Sequence, residues 1–129
     1  MGTDILIAED EPSILEALNF VLQRAGWSVQ AVTDGEAVMN AVRRVQPRIL
    51  VLDVMMPKRS GFEVLKQIRA DATTRELPVL VLTAKGQQQD RRVAEELGAD
   101  GFVTKPYSNV DVVDAVRTLL EDRVTMVRQ

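Results

Sequence analysis

Short apolar runs alternate along the chain with segments whose apolar residues recur every three or four positions. The runs hold four residues or fewer and lie at Ile5–Ala8, Val29–Val32, Ile49–Leu52, Val79–Leu82 and Phe102–Val103. The runs that begin at Ile49 and Val79 are apolar throughout, which is typical of strands buried on both faces of a parallel sheet. The pattern therefore predicts five short strands.

A helical stripe follows each run. The stripes are Ile14, Leu18, Val21 and Leu22; Val38, Ala41, Val42 and Val45; Leu65, Ile68 and Ala72; Val93, Ala94 and Leu97; and Val112, Val113, Val116, Leu119 and Leu120. Five repeats of strand then helix predict an α/β fold with a doubly wound five-stranded parallel sheet, because right-handed crossovers place helices on both faces. The last stripe can continue through Val124 and Val127. We therefore expect one domain over residues 1–122, with residues 123–129 extending the last helix or beginning a linker.

Composition narrows the chemistry of this domain. The 129 residues suffice for one domain with a substantial core, and 16 basic against 19 acidic residues give a net charge of −3. This balance predicts no direct binding to nucleic acid and none to anionic membranes. The chain has no Cys and no His, which excludes thiolate catalysis, zinc–thiolate sites, Ser-His triads and imidazole metal sites. Without a signal-like segment or an apolar run near the ~18 residues of a membrane span, we expect the cytoplasm.

Polar side chains gather where the predicted strands end. These are Glu9, Asp10 and Glu11 after the first strand, Asp53 after the third, Thr83 after the fourth and Lys105 after the fifth. Ligands of doubly wound sheets bind beyond the carboxyl ends of the strands. Clustered carboxylates repel each other unless a cation lies among them, and oxygen ligands alone favour Mg²⁺ or Mn²⁺.

Such a site is suited to phosphoryl transfer. A carboxylate such as Asp53 can itself take a phosphoryl group, and Thr83 and Lys105 would then contact the phosphoryl oxygens. Each residue also has a structural explanation: Glu9 or Asp10 alone is about as often a helix cap, Thr83 is more often structural, and Lys105 can be merely solvated. Separate structural explanations for all of them together are much less economical than one site.

Four segments carry a resemblance to a known family. They are Ile-Leu-Ile-Ala-Glu9-Asp10-Glu11-Pro12, Leu-Val-Leu-Asp53-Val-Met-Met-Pro57-Lys-Arg-Ser-Gly61, Val-Leu-Thr83-Ala84 and Gly98-Ala-Asp100-Gly-Phe102-Val-Thr-Lys105-Pro106. In this order and at this spacing, from Ile5 to about Leu120, they resemble the receiver domains of bacterial two-component response regulators. The resemblance implies a flavodoxin-like sheet and a switch that is phosphorylated by a sensor histidine kinase or a phosphotransfer protein. Its catalysis would be limited to its own phosphorylation and dephosphorylation.

The resemblance also implies a role for individual residues. Asp53 matches the phosphoacceptor, and Lys105 matches the lysine that binds the phosphoryl group. Asp10 resembles the direct ligand of a Mg²⁺ or Mn²⁺ ion, Glu9 resembles a ligand that acts through water, and the backbone carbonyl of Met55 matches a further ligand. Glu9 stands where Asp is common in the family, and Glu is a frequent alternative there.

Two expectations concern the response to phosphorylation. Thr83 and Phe102 match the family's switch pair, in which the hydroxyl moves to the phosphoryl group and the ring turns inward. The chain is most similar to receivers of winged-helix regulators, which pair through the fourth helix, fifth strand and fifth helix. This implies a homodimer with two intermolecular ion pairs, Arg91–Asp111 and Glu96–Arg117. We expect it to be weak at most, because Asp100 would meet Ala115 where that subfamily has a basic residue, and Asp122 is acidic where that subfamily is usually basic.

Other phosphate-binding proteins share this topology but fit less well. A phosphatase of the haloacid-dehalogenase type needs a second Asp two residues after the first, where this chain has Met55. A flavodoxin-like cofactor binder needs a Ser/Thr/Gly-rich phosphate loop after the first strand, where this chain has three acids that would repel an FMN phosphate. The glycine-rich motif of a P-loop NTPase is absent from the sequence.

Overall fold

Strands and helices alternate strictly along the chain. The structure, a computed structural model, describes residues 3–56, 58–83, 88–104 and 108–128. In order, the elements are β1 (Ile5–Ala8), α1 (Pro12–Arg24), β2 (Val29–Val32), α2 (Glu36–Val45), β3 (Ile49–Asp53), α3 (Gly61–Ala70), β4 (Val79–Thr83), α4 (Gln88–Glu96), β5 (Gly101–Thr104) and α5 (Asn109–Arg128). The predicted alternation of five strands with five helices is confirmed.

All five strands form one parallel sheet in the order β2-β1-β3-β4-β5. The chain first moves outward from β1 to β2 and then returns across β1 to β3, so the strand order reverses between β1 and β3. Strands β1, β3 and β4 are buried along their whole length, whereas the edge strand β2 is half exposed. The predicted doubly wound sheet is therefore confirmed, and the site of interest in such a sheet is the crevice at the β1/β3 reversal.

Alternate residues of each central strand supply two separate cores. Leu50 and Leu52 of β3 pack with α2, α3 and α4 on one face of the sheet. Ile49 and Val51 pack with α1 and α5 on the other face. All four side chains are fully buried, and each such burial stabilises the fold by about 1.5–3 kcal/mol.

The helices follow the predicted stripes with two exceptions: Leu97 lies one residue beyond α4, although it packs against the core, and Ala72 lies beyond α3. Ala72 was expected to continue the third stripe, but α3 ends at Ala70 and Ala72 is exposed. The helix ends because Asp71 has an extended backbone, with φ −94° and ψ 124°. The last helix continues to Arg128, as the spacing of Val124 and Val127 predicts. Among the described helices, none is long and apolar enough to cross a membrane.

Candidate functional site

Three carboxylates meet at the carboxyl end of the two central strands. Glu9 and Asp10 directly follow β1, and Asp53 is the last residue of β3. Because Ala8 lies opposite Leu52 in the parallel pairing of these strands, the residues that come next are neighbours across the β1/β3 crevice. One oxygen from each of the three carboxylates lies within 4.8 Å of the others. The sequence placed these three residues together, and the structure does so too.

The three carboxylates differ in their exposure to solvent. Glu9 is fully buried and Asp53 is 2% exposed, whereas Asp10 is exposed. The Glu11 N–H donates to Glu9 Oε2 at 3.1 Å, and the Met55 N–H donates to Asp53 Oδ1 at 3.1 Å. Backbone amides therefore fix the orientation of both buried carboxylates, while Asp10 stands at the solvent side of the cluster. Like charges this close in a buried setting are unfavourable unless protons or a cation balance them.

The loop between β3 and α3 closes tightly over Asp53. The Gly61 N–H donates to the carbonyl of Val54 at 3.0 Å. A Cβ atom at position 61 would lie 2.6 Å from the carbonyl oxygen of Asp53, so only glycine fits there without displacing the backbone that carries the acid. The Met55 side chain is 69% exposed. Its N–H contacts Asp53, and the predicted role of its carbonyl as a metal ligand stays a prediction.

The fourth and fifth strands contribute the predicted switch residues. Thr83 ends β4 and is 1% exposed, and its hydroxyl donates to Thr104 Oγ1 at 3.2 Å. Phe102 of β5 is half-buried against the core on the side of α4. The guanidinium carbon of Arg91 lies 5.0 Å from the centroid of the Phe102 ring, within the range of a cation–π contact. The predicted phosphate-binding Lys105 and the Lys105–Pro106 segment lie outside the described residues.

Two contacts of this region were missed in the sequence. Thr104 partners the Thr83 hydroxyl, and its position two residues after Phe102 on a strand was the available signal, since alternate residues share a face. Arg91 was considered only as a charge for an intermolecular pair, yet it covers the Phe102 ring. Contacts between α4 and β5 connect residues that no periodicity relates, so the sequence carries no comparable signal for the second contact.

Comparison with protein families supports one interpretation of this geometry. The family described as the response regulator receiver domain matches this sequence over residues 5–117. The alkaline phosphatase synthesis transcriptional regulatory protein PhoP of Bacillus subtilis is 40% identical over 120 residues, which is 93% of this chain and 49% of that protein. The sensory transduction protein RegX3 of Mycobacterium tuberculosis is 41% identical over 118 residues, which is 92% of this chain and 51% of that protein. The chain spans about half the length of these relatives.

Solved structures show the same architecture. A putative response regulator from Chloroflexus aurantiacus superposes with a TM-score of 0.89 at 30% identity, and the match covers 94% of this chain and 99% of that one. The receiver domain of a sensor histidine kinase from Pseudomonas aeruginosa, with a magnesium ion coordinated in its active site cleft, gives a TM-score of 0.85 at 25% identity. That match covers 94% of this chain and 99% of the other. The phosphatase and flavodoxin-like alternatives find no support among these relatives.

Proposed function

The chain belongs to the response regulator receiver domain family of two-component systems, and from this premise we propose that Asp53 is its phosphoacceptor. The observation that carries the proposal is the cluster of three carboxylates within 4.8 Å, in which Asp53 is 2% exposed at the end of a central strand. Glu9 and Asp10 lie beside it, and three carboxylates this close suit a cation and an incoming phosphoryl group.

The donor set of the cluster fits Mg²⁺ or Mn²⁺. Carboxylate and carbonyl oxygens are the ligands these hard cations prefer, and Mg²⁺ binds through one or two carboxylates while it keeps several waters. We assign Asp10, Asp53 and the Met55 carbonyl as direct ligands, with the buried Glu9 acting through water. When bound, the cation would neutralise charge on the phosphoryl oxygens. The magnesium in the related histidine-kinase receiver supports this assignment.

The transfer itself needs little from the protein beyond position and charge. A carboxylate oxygen of Asp53 attacks the phosphorus of a phosphohistidine in the kinase or phosphotransfer protein. The O–P bond forms, the P–N bond breaks, and the imidazole nitrogen keeps the electron pair, giving an acyl phosphate on Asp53. The Met55 N–H that binds Oδ1 restricts rotation of the carboxylate and so orients the attack. Lys105 and the Thr83 hydroxyl are assigned to the phosphoryl oxygens.

Phosphorylation is then read by Thr83 and Phe102. If the Thr83 hydroxyl moves to the phosphoryl group, space opens beside β4 for the Phe102 ring to turn inward. The ring would leave the Arg91 guanidinium that lies 5.0 Å from its centroid. Arg91 is exposed on α4, so the change at Phe102 would alter the surface formed by α4, β5 and α5.

A weak homodimer through that surface is the second part of the proposal. In the intermolecular pairs Arg91–Asp111 and Glu96–Arg117, both arginines already have aromatic partners within the chain. Arg117 lies 5.4 Å from the centroid of the Trp27 ring, and Arg91 lies over Phe102. Pairing would compete with these contacts, so we expect association to be weak and favoured by phosphorylation.

Intact mass spectrometry tests the proposed phosphoacceptor. Incubation with phosphoramidate and Mg²⁺ should add one phosphoryl group to the chain and none to Asp53→Asn. Asp34→Asn is a matched control, because Asp34 follows β2 at the same edge of the sheet and lies outside the acidic cluster. An adduct of equal yield in Asp53→Asn would refute the assignment, and so would the absence of any adduct in the unmodified chain.

Isothermal titration tests the metal ligands separately. Asp10→Ala should weaken Mg²⁺ binding by tenfold or more, on the order of the loss expected for a ligand or its immediate support. Glu11→Ala removes an exposed carboxylate one residue later, outside the cluster, and should leave the affinity within about twofold. Equal affinities in the two variants would exclude Asp10 as a ligand.

Light scattering tests the homodimer. The average mass should rise with protein concentration more steeply in the presence of beryllofluoride and Mg²⁺ than without them. Arg91→Gln should weaken that rise, whereas Arg92→Gln changes an exposed neighbour on α4 and should not. A monomer under every condition would assign the surface to a different partner.

We also propose that residues 1–122 form the receiver unit and that residues 123–129 extend its last helix or begin a linker. Its catalysis would be limited to its own phosphorylation and dephosphorylation. From the longer relatives we carry over the receiver role to this chain, and not their transcriptional role.

A further inference from the structure

The Thr83 hydroxyl is already engaged in this structure. Its Oγ1 donates to Thr104 Oγ1 at 3.2 Å, across a registered pair of the parallel strands β4 and β5. Thr104 shares its face of the sheet with Phe102, two residues earlier on β5, because alternate residues of a strand point the same way. Both members of the proposed switch pair therefore adjoin Thr104.

The hydrogen bond is directed away from the acidic cluster. Strand β4 lies between β3, which carries Asp53, and β5, which carries Thr104. A threonine hydroxyl has one proton to donate. It cannot donate that proton to Thr104 and to a phosphoryl oxygen on Asp53 at the same time, so a phosphoryl group on Asp53 competes with Thr104 for it.

The two hydroxyls differ in what happens when the bond breaks. Thr83 is 1% exposed, and a buried hydroxyl that loses its partner is strongly disfavoured until it finds another. Thr104 is exposed, so water replaces the lost bond at little cost. The bond thus holds Thr83 in its observed position weakly enough that a phosphoryl group can displace it.

We propose that Thr104 is a positioning residue that retains the Thr83 hydroxyl on the β5 side of β4 and so opposes the phosphoryl-bound arrangement. The inference rests on the proposed function, since it needs a phosphoryl group on Asp53 to compete with Thr104. It adds a third member to the switch pair of Thr83 and Phe102. Removing the Thr104 hydroxyl leaves Thr83 without its observed partner and shifts the equilibrium toward the arrangement in which Thr83 binds the phosphoryl group.

The test compares the affinity for beryllofluoride, a phosphoryl mimic, in the presence of Mg²⁺. Thr104→Val replaces the hydroxyl by a methyl group of similar shape on a β-branched side chain. The apparent dissociation constant, measured by fluorine NMR, should fall by about two- to tenfold, the range expected for the net contribution of one neutral hydrogen bond. Thr104→Ser restores the hydroxyl and should return the constant to that of the unmodified chain. Thr33→Val makes the same change at the carboxyl end of β2, in an exposed position, and should have no effect.

A double-mutant cycle separates positioning from a general structural effect. In a Thr83→Val background there is no hydroxyl to retain, so adding Thr104→Val should leave beryllofluoride affinity unchanged. If Thr104→Val strengthens binding equally in both backgrounds, it acts by another route and the inference is overturned. Unchanged or weaker binding in the single variant overturns it as well.

Failure of this inference is distinguishable from failure of the proposed function. Suppose that the unmodified chain is phosphorylated on Asp53 and that Thr104→Val does not change beryllofluoride affinity. The phosphoacceptor would then stay assigned, and Thr104 would have no part in the switch. No adduct on Asp53 in the unmodified chain would remove both.

Discussion

Carboxylates at the two edges of the sheet have different neighbours. At the amino-terminal edge, Asp4 accepts from the backbone and hydroxyl of Ser28 and pairs with Arg48 at 3.2 Å. At the carboxyl-terminal edge, Glu9, Asp10 and Asp53 face one another within 4.8 Å. At the first edge the carboxylate has an arginine beside it, whereas at the second edge three carboxylates lie together, two of which also accept from backbone N–H groups.

Arg69 shows how thoroughly the amino-terminal edge is satisfied. From α3 it donates five hydrogen bonds to four residues, the carbonyls of Gly98, Arg75 and Leu77 and the carboxylate of Asp100. Asp100 Oδ2 also accepts from the Val79 N–H at 2.8 Å. One side chain thereby joins the loops that precede β4 and β5.

The contrast indicates that the amino-terminal edge contributes to stability, and it fits the site proposed at the carboxyl-terminal edge. Paired groups lower the free energy of the folded state, whereas clustered like charges raise it and persist where function requires them. At the amino-terminal edge, the backbone amide of Ser28, together with Arg48, holds the pKa of Asp4 below its ordinary value of 3.8.

Replacement of Arg69 should lower the free energy of unfolding more than the other changes considered below. Arg69→Met keeps much of the aliphatic stem but leaves three backbone carbonyls and Asp100 without the guanidinium. We expect the free energy of unfolding to fall by about 2–4 kcal/mol. Urea unfolding measures it, with Arg44→Met, an exposed arginine in the last turn of α2, as the control. The folded fraction should still be phosphorylated on Asp53. If Arg69→Met lowers the free energy of unfolding by less than Arg44→Met does, Arg69 does not stabilise the amino-terminal edge.

A smaller effect of opposite sign is expected at the other edge. Asp53→Asn retains the oxygen that accepts from the Met55 N–H and removes one of the clustered charges. In buffer free of divalent cations it should raise the free energy of unfolding by about 1 kcal/mol. Saturating Mg²⁺ should stabilise the unmodified chain more than the variant and so reduce the difference. Asp100→Asn, the same change at the amino-terminal edge, should destabilise the fold with or without Mg²⁺. If Asp53→Asn destabilises the fold without Mg²⁺, the clustered carboxylates at the carboxyl-terminal edge do not lower its stability.

The smallest effect concerns the pH dependence of Asp71, which follows α3 near the amino-terminal edge. The Thr73 hydroxyl first, and then the Arg43 guanidinium, lower the pKa of Asp71 from 3.8 to about 2. A lowered pKa in the folded state stabilises the fold above pH 3.8, and that stabilisation is lost as the pH falls toward about 2.

Asp71→Asn should therefore be slightly less stable than the unmodified chain at neutral pH. The difference should shrink between pH 3.8 and about 2, as measured by chemical unfolding at several pH values. A difference that stays constant across this interval would mean that the charge of Asp71 does not contribute.

The sequence predicted the sheet and the acidic cluster for a clear reason. Buried parallel strands are apolar on both faces, so Ile49–Leu52 stands out, and the chain reversal at β1 and β3 brings the residues after these strands together. Glu9 and Asp53 are thus related by topology. Ala72 was misplaced because a helix end depends on the backbone of Asp71, which periodicity does not report.

Contacts between side chains of different elements were harder to anticipate. The Thr83–Thr104 bond depends on the register of β4 against β5, and the Arg91–Phe102 contact depends on how α4 packs over β5. The hydrogen bonds of Arg69 were equally hard to predict, because its partners lie in two loops that are distant from it in the sequence. Such contacts are set by three-dimensional packing and leave no period in the sequence.

Chemical trapping identifies the phosphorylated residue itself. The chain is treated with phosphoramidate and Mg²⁺, reduced with borohydride and digested, and the peptides are mapped by mass spectrometry. An acyl phosphate on Asp53 is reduced to homoserine, so homoserine should replace aspartate at position 53 and not at position 10, and Glu9 should be unreduced. It should be absent when Mg²⁺ is chelated. Homoserine at Asp10, or an equal yield at position 53 without Mg²⁺, would contradict the account.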